Sequence, residues 1–308
     1  AQGIESWLCL NHWDLPQALQ EKGGWSNRDT AMRFVEYSWK VLEELGDRVK
    51  HVIPHNEPNV LSILGHGVGI HAPGLRDAAT CFASAHHLNL SHGIATRELK
   101  ICQPDLKIGP VLSLQRVVEK ERDPAAANRL DALWNCMFLD PVLKGEYPEL
   151  LKEELNYWVR EGDLELIHAE PDFFGLNHYT VMRAKCESQA PVGSSIMPTP
   201  AGIPVTESGW EIRPEGLLEQ LLDFREIYGE IPIYLTENGC SCVDIPDSLG
   251  RVDDAERISY FRDYLKAGRE ALKQGVDLRG WFFWSLLDNF EWTEGYTKTV
   301  SYTHLRAH

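Results

Sequence analysis

The chain has no C-x-x-C pair, no glycine-rich phosphate loop, no excess of basic residues and no apolar run long enough to cross a bilayer. Each absence excludes something. Its seven cysteines are scattered and odd in number, so neither a zinc site nor a disulfide framework is indicated. Cys240 and Cys242 flank Ser241, too close for an easy disulfide. Reduced thiols are expected, as in a cytoplasmic protein. The 30 Lys and Arg face 46 Asp and Glu, and a formal net charge of −16 argues against a nucleic-acid or anionic-membrane partner. No secretory apolar segment is visible. Without a G-x-G-x-x-G or Walker motif, no nucleotide cofactor is expected, which weakens a nucleotide-dependent α/β enzyme. His86, His87 and His92 lie on one predicted helix, but no carboxylate or further histidine completes a metal set, so helix-surface histidines and no metal are expected.

What is present is an ordinary soluble composition, 43% hydrophobic and 25% charged over 308 residues. Ten Trp, ten Tyr and ten Phe serve either a core or the ring platforms of a ligand cleft. Ile233-Tyr234-Leu235-Thr236 reads as a buried strand that runs directly into Glu237, and Asn238-Gly239 then turns the chain. His51–Asn56 has the same construction and runs into Glu57. A carboxylate at the tip of a core strand is poorly explained by packing, because burying it unpaired is costly.

The remaining elements follow from periodicity. Ser6–Asn11 is a short strand ending at His12-Trp13. Ala31, Phe34, Val35, Ser38, Val41, Leu42 and Leu45 fall on one helical face, with Ser26 or Asn27 as cap and Gly46 at the C′ position. Arg76–Cys102 reads as a long helix, Lys107–Val111 as a strand, and 123–160 as helical with breaks at Pro141 and Pro148. Phe173–Tyr179 is a strand, 185–210 an irregular excursion, and Pro214 to Gly229 a helix with its terminal signals in place. A helix over roughly Asp253–Gln274 and a last strand, Leu278–Ser285, complete six strands.

Strands alternating with helices imply a parallel sheet, which a doubly wound fold or a (β/α)8 barrel would satisfy. The polar residues decide. His12, Asn56-Glu57, Asn177 with Tyr179, Glu237 and Trp284 lie at the C-terminal ends of five strands, the barrel's arrangement of an active site.

Two carboxylates facing a common centre suit glycoside cleavage: one protonates the leaving oxygen, and the other stays ionised against the oxocarbenium charge. Their repulsion raises the pKa of one of them, which sorts the roles. Asn56 offers an amide to a sugar hydroxyl, and Tyr179 could hold Glu237 ionised and aimed. The bland alternative is two structural glutamates capping neighbouring helices.

His12-Trp13-Asp14-Leu15-Pro16, Asn56-Glu57-Pro58, His71-Ala72-Pro73-Gly74, Asn177-His178-Tyr179, Thr236-Glu237-Asn238-Gly239 and the stretch from Trp284 to Trp292 together resemble glycoside hydrolase family 1, the β-glucosidase family. The motifs run in the family's order from near residue 3 to about residue 298. The resemblance implies a retaining, double-displacement hydrolase of O-linked β-glucosides or oligosaccharides in a (β/α)8 barrel. Glu57 would be the acid/base and Glu237 the nucleophile, with roughly 5 Å between their carboxyl groups. Asn56 would bind the 2-hydroxyl, and Tyr179 would bond the nucleophile. His12, Glu291 and Trp292 would hold the outer hydroxyls, and Trp284 would lie under the ring. Trp13 and Asn177 would line the site, and Trp210 would stand on the aglycone side. Glu291 would repel a phosphate, which favours non-phosphorylated substrates. The competing class is a non-catalytic sugar-binding pseudo-enzyme on the same barrel. Such proteins usually lose a carboxylate, and both are intact here.

Relative to the family, the chain is expected to be a fragment. Residues 1–300 would be a partial catalytic barrel with about six of eight strands, lacking the first two and so poorly active. Residues 301–308 would be an unrelated tail. Pro54 and His55 also depart from the usual threonine and apolar residue before Asn56.

Overall fold

The computed structural model describes residues 3–300, which fall into two compact units. The first contains residues 3–113, 128–175 and 187–194, and the second contains 114–127, 176–186 and 195–300. The expected tail, 301–308, lies outside the described residues.

In the first unit, Trp7–Asn11 pairs in parallel with His51–His55, which pairs in parallel with Lys107–Ile108. The register sets Trp7 against His51 and Asn11 against His55, so both strands end level. Pro54 sits inside the second strand without ending it. The expected strand over 107–111 is broken in two, Lys107–Ile108 and Val111–Ser113, at Gly109-Pro110. Proline brings no N–H to a ladder. A Cβ on Gly109 would sit 2.2 Å from the Phe173 carbonyl oxygen, so the backbone approaches there too closely for any side chain.

The helix Arg28–Leu45 follows the predicted face. Ala31, Phe34, Ser38 and Leu42 are buried, while Val35, Val41 and Leu45 pack at the rim of the core. Asn27 caps it, its Oδ1 accepting from the Asp29 N–H at 3.0 Å. Gly46 differs from expectation, since its backbone is right-handed. Its small size matters instead: a Cβ there would meet the Leu42 carbonyl oxygen at 2.5 Å.

Two further expectations fail in this unit. The long helix runs Ala78–Cys102, capped by Asp77, and its three histidines are buried rather than on the surface. The helix packs against Arg28–Leu45, Leu61–Gly67 and Asp163–Ile167, among others, which leaves it no wide solvent face. Two of these histidines have internal partners, as burial demands. His86 lies between the Tyr147 hydroxyl and Asp163 Oδ2, each at 2.9 Å, and His87 Nδ1 lies 2.9 Å from the Trp25 carbonyl. Pro141 does not break its helix either; Met137–Leu143 continues through it. The Met137 carbonyl that the missing N–H would have served accepts the Asn89 amide at 3.1 Å.

Burial holds His87 and His92 down to about 4 from an ordinary 6.5. The folded state therefore resists protonation that the unfolded chain accepts. Stability is full above about pH 6.5 and is lost as pH falls towards 4, by on the order of 3 kcal/mol per histidine. We expect the thermal midpoint to fall across that window and the slope to flatten in His87→Gln and His92→Asn. An unchanged slope in both variants would assign the acid loss elsewhere.

In the second unit, Ile233–Glu237 and Leu278–Trp281 pair in parallel, with a register shift between Ile233 and Tyr234. The helices Pro214–Tyr228 and Ala255–Lys273 pack on each other. Pro214 opens the first, and Gly229, at φ +85°, follows its end. The excursion is less irregular than expected, since Ala184–Cys186 and Ser194–Ile196 are short strands. With these and the divided third strand, nine strands stand among the described residues rather than six. No helix among them is long and apolar enough to cross a membrane.

Candidate functional site

The residues singled out from the sequence fall into two groups, one in each unit. In the first unit they follow two paired strands. Because Asn11 and His55 are in register, His12-Trp13 and Asn56-Glu57 leave the sheet side by side. The Asn56 N–H donates to the Asn11 carbonyl at 2.9 Å, and the Glu57 N–H to the Val111 carbonyl at 3.0 Å. Trp13 Nε1 donates to the Asn56 carbonyl at 3.0 Å. The Asn56 amide lies 3.1 Å from His12 Nε2. Burial holds the His12 imidazole below its ordinary value against the pull of Asp14, which fits a neutral ring accepting that amide hydrogen.

Glu57 is 6% exposed and heads the short helix Pro58–Val60, yet its side chain makes no capping hydrogen bond. Helix capping therefore does not account for it. Its φ is +45°, a left-handed conformation that costs a non-glycine residue on the order of 1 kcal/mol. Trp13 at +77° and Trp292 at +46° share that region, so three of the four such non-glycine residues described are candidate site residues. Strain of this kind persists only where the surroundings hold it. Part of that hold is Asn59, which sequence reasoning missed. Fully buried, it donates to the Ser113 carbonyl at 2.8 Å and the Trp134 carbonyl at 3.2 Å.

In the second unit the group is centred on Glu237, the last residue of its strand. The Tyr179 hydroxyl donates to Glu237 Oε2 at 2.6 Å, in the short range of a charge-assisted bond. The His178 N–H donates to the Glu237 carbonyl at 3.0 Å, and Thr236 Oγ1 donates to Asn177 Oδ1 at 2.6 Å. Asn177 thus sets the strand end from below. The Trp210 ring lies 5.3 Å from the Tyr179 ring and is 44% exposed. Asn238 was also missed as a support: its amide donates to the His178 carbonyl at 2.7 Å and to the Tyr260 hydroxyl at 3.1 Å. In both units an asparagine one or two residues past the glutamate anchors the turn. That spacing, Glu-x-Asn and Glu-Asn, was the available signal.

Trp284 lies beyond the end of its strand, which stops at Trp281 rather than Ser285. Its N–H donates to the Asn238 carbonyl at 3.0 Å, and Gly239 makes room for it: a Cβ there would stand 2.1 Å from the Trp284 carbonyl oxygen. Trp284 Nε1 donates to Glu291 Oε1 at 3.1 Å. Burial raises the Glu291 carboxyl above its ordinary value, opposed by the hydrogen bonds from Trp284 and Asn289. Trp292 follows directly and is half-buried. Among the described residues, no cluster of three or more His, Cys, Asp or Glu could hold a metal ion.

The second group can thus hold an ionised carboxylate, aim it and present indole faces beside a further acceptor. The first offers a buried carboxyl group beside an amide.

Comparison with known proteins bears on both. The family model for glycosyl hydrolase family 1 matches residues 1–306. A 1,4-β-D-glucan glucohydrolase of Thermotoga neapolitana is 40% identical over 304 residues, covering 96% of this chain and 71% of its own. β-Glucosidase A of Thermotoga maritima is 41% identical, covering 96% and 68%. The structure of a psychrophilic β-glucosidase from Micrococcus antarcticus superposes with a TM-score of 0.90 at 41% identity, covering 97% of this chain and 70% of that one. Structures of the Thermotoga maritima β-glucosidase in complex with castanospermine and with deoxynojirimycin match at the same TM-score, the latter at 40% identity. A match along almost the whole chain, in sequence and in fold, leaves one assignment: the chain belongs to glycosyl hydrolase family 1.

Proposed function

We propose that this chain carries the catalytic residues of a retaining β-glycosidase of β-glucosidase type, acting on O-linked, non-phosphorylated β-glucosides in a (β/α)8 barrel. The observation that carries the reading is the 2.6 Å bond from Tyr179 to Glu237. It keeps one carboxylate charged and pointed, as a nucleophile needs. Glu237 attacks the anomeric carbon as the glycosidic bond breaks, and Glu57 gives its proton to the departing oxygen. Water then attacks the glycosyl ester, Glu57 takes the water's proton, and Glu237 leaves as carboxylate. Asn56 and His12 hold hydroxyls of the sugar, with Trp13 and Asn177 lining the site. Trp284 presents its ring face, Glu291 and Trp292 hold the outer hydroxyls, and Trp210 contacts the aglycone. The Thermotoga maritima relative's complexes with sugar-like inhibitors support a small glycoside as ligand.

The test is a 2-fluoroglucoside with a good leaving group, followed by peptide mass analysis. A glucosyl adduct on Glu237 is expected. A folded protein that binds glucose analogues yet never acquires the adduct would instead be a sugar-binding pseudo-enzyme. The expectation that the 308-residue chain is poorly active is read alongside, and strong hydrolysis of a nitrophenyl β-glucoside overturns it.

Glu291 makes a further prediction. A phosphate on the sugar's outer hydroxyl would meet a carboxylate with no cation assigned to offset it. The 6-phospho-glucoside should be cleaved at least about 100-fold more slowly in kcat/KM than the glucoside. Comparable rates would remove Glu291 from the outer-hydroxyl role.

A further inference from the structure

Arg183 and Glu211 have no part in that mechanism, yet both are buried within the second unit, 5% and 3% exposed, and they face each other. The two terminal nitrogens of Arg183 each donate to one oxygen of Glu211, the second at 3.3 Å. Arg183 Nε stands 3.2 Å from Glu119 Oε1. We propose that Arg183 and Glu211 are positioning residues for the aglycone side. Their paired charges fix Trp210 against Tyr179, so that the indole is a preset platform favouring aryl over alkyl aglycones. The inference rests on the glycosidase reading.

The first argument is energetic. Two buried charges carry a desolvation cost that an apolar pair of the same volume avoids, so stability is a poor reason for them. What a guanidinium fork on a carboxylate does supply is fixed geometry, since two parallel bonds set both position and direction. The second argument is where that geometry acts. Glu211 directly follows Trp210 in a hairpin closed by the Val205–Glu211 bridge. The Thr206 N–H donates to the Trp210 carbonyl at 2.9 Å, and the Ile212 N–H to the Pro204 carbonyl at 2.9 Å. Neighbours along an extended segment face opposite ways. Glu211 accordingly points inward to Arg183, and Trp210 outward. A slip of one residue would exchange them. The third argument is what the pair grips. Arg183 follows Tyr179 by four residues, and the Thr180 hydroxyl donates to the Glu211 carbonyl at 3.1 Å. Glu211 thus holds the segment carrying Tyr179 through both its side chain and its backbone. The hairpin's tip is tied as well: the Ser208 N–H donates to Ser241 Oγ at 3.0 Å, and the Glu207 N–H to the Ser241 carbonyl at 3.2 Å. With base and tip both tied, the indole stands beside the Tyr179 ring before any ligand arrives.

Calorimetric binding of non-hydrolysable 1-thio-β-glucosides to the 308-residue chain tests it. One aromatic contact corresponds to about three- to tenfold in affinity, the preference expected for the phenyl over the methyl thioglucoside. Glu211→Gln should abolish that preference, but an unpaired buried Arg183 can unfold the chain. The paired exchange of Arg183→Met with Glu211→Leu is therefore measured beside it. It keeps the volume and leaves no lone charge, because Glu119 retains Arg122 at 2.8 Å. This variant should fold, bind deoxynojirimycin as the parent does, and still lose the aryl preference. Adding Trp210→Ala to it should lower the preference no further, which a merely structural pair would not produce. Deoxynojirimycin fills only the sugar's place, so its failure to bind the unsubstituted chain would sink the glycosidase reading and this inference together. Where it binds, four results would overturn the positioning role alone. They are no phenyl preference in the unsubstituted chain, a preference kept by the paired exchange, a loss that adds to that of Trp210→Ala, or a paired exchange that no longer binds deoxynojirimycin.

Discussion

Glu237→Ala is expected to lower kcat for a nitrophenyl β-glucoside by at least about 10^4-fold, in any preparation that hydrolyses that substrate. The size follows from the role. A nucleophile that forms the covalent intermediate has no substitute in the site, and solvent water attacks an unactivated acetal very slowly. Folding should survive, because the backbone bond from His178 to the Glu237 carbonyl and the anchors of Asn238 do not use the carboxylate. The variant also opens a small space beside the Tyr179 hydroxyl. A compact anion such as azide should enter it and restore part of the rate, giving an α-glycosyl azide of inverted configuration. An activity within tenfold of the parent, or an azide product of retained configuration, would show that Glu237 is not the nucleophile.

The second large effect is that of Glu57→Gln, and it should depend on the leaving group. An amide cannot donate a proton of carboxylic-acid strength, so an alkyl glucoside, whose alkoxide leaves poorly, should lose about 10^2 to 10^4-fold in kcat/KM. A dinitrophenyl glucoside needs no proton and should lose far less in that parameter. With the same residue missing as base, the glycosyl ester should accumulate, so that kcat and KM fall together for the activated substrate. Equal losses for both leaving groups would remove Glu57 from acid catalysis. Glutamine preserves the bulk of a buried side chain at a left-handed position, so thermal stability should change little.

These two residues were legible because their signal is local. A short apolar run followed by a glutamate and a turn needs nothing from the rest of the chain to be noticed. The same holds for the helix Arg28–Leu45, where a 3.6-residue period and the Asn27 cap place one face and one end. The histidines of Ala78–Cys102 were misplaced because that helix carries small and apolar residues nearly all round. Its burial is decided by the elements packed against it, not by its own period. Pro141 misled for a related reason: the Asn89 amide that stands in for the missing N–H comes from a residue far away in sequence.

The sequence by itself indicated the family, the helix Arg28–Leu45 and which eleven residues to examine as a candidate site, since each rests on neighbours in the chain or on a motif read in order. Only the tertiary structure decided that the expected Tyr179–Glu237 contact is a 2.6 Å hydrogen bond, that Glu57 sits buried and left-handed at a strand end, that Asn59 and Asn238 anchor the two turns, and that two thiols stand 3.8 Å apart on a cavity wall. The physical reason is common to all four. Burial, hydrogen-bond partners and side-chain spacing depend on which distant segments meet, and chain order does not contain that until the strands pair and the helices pack.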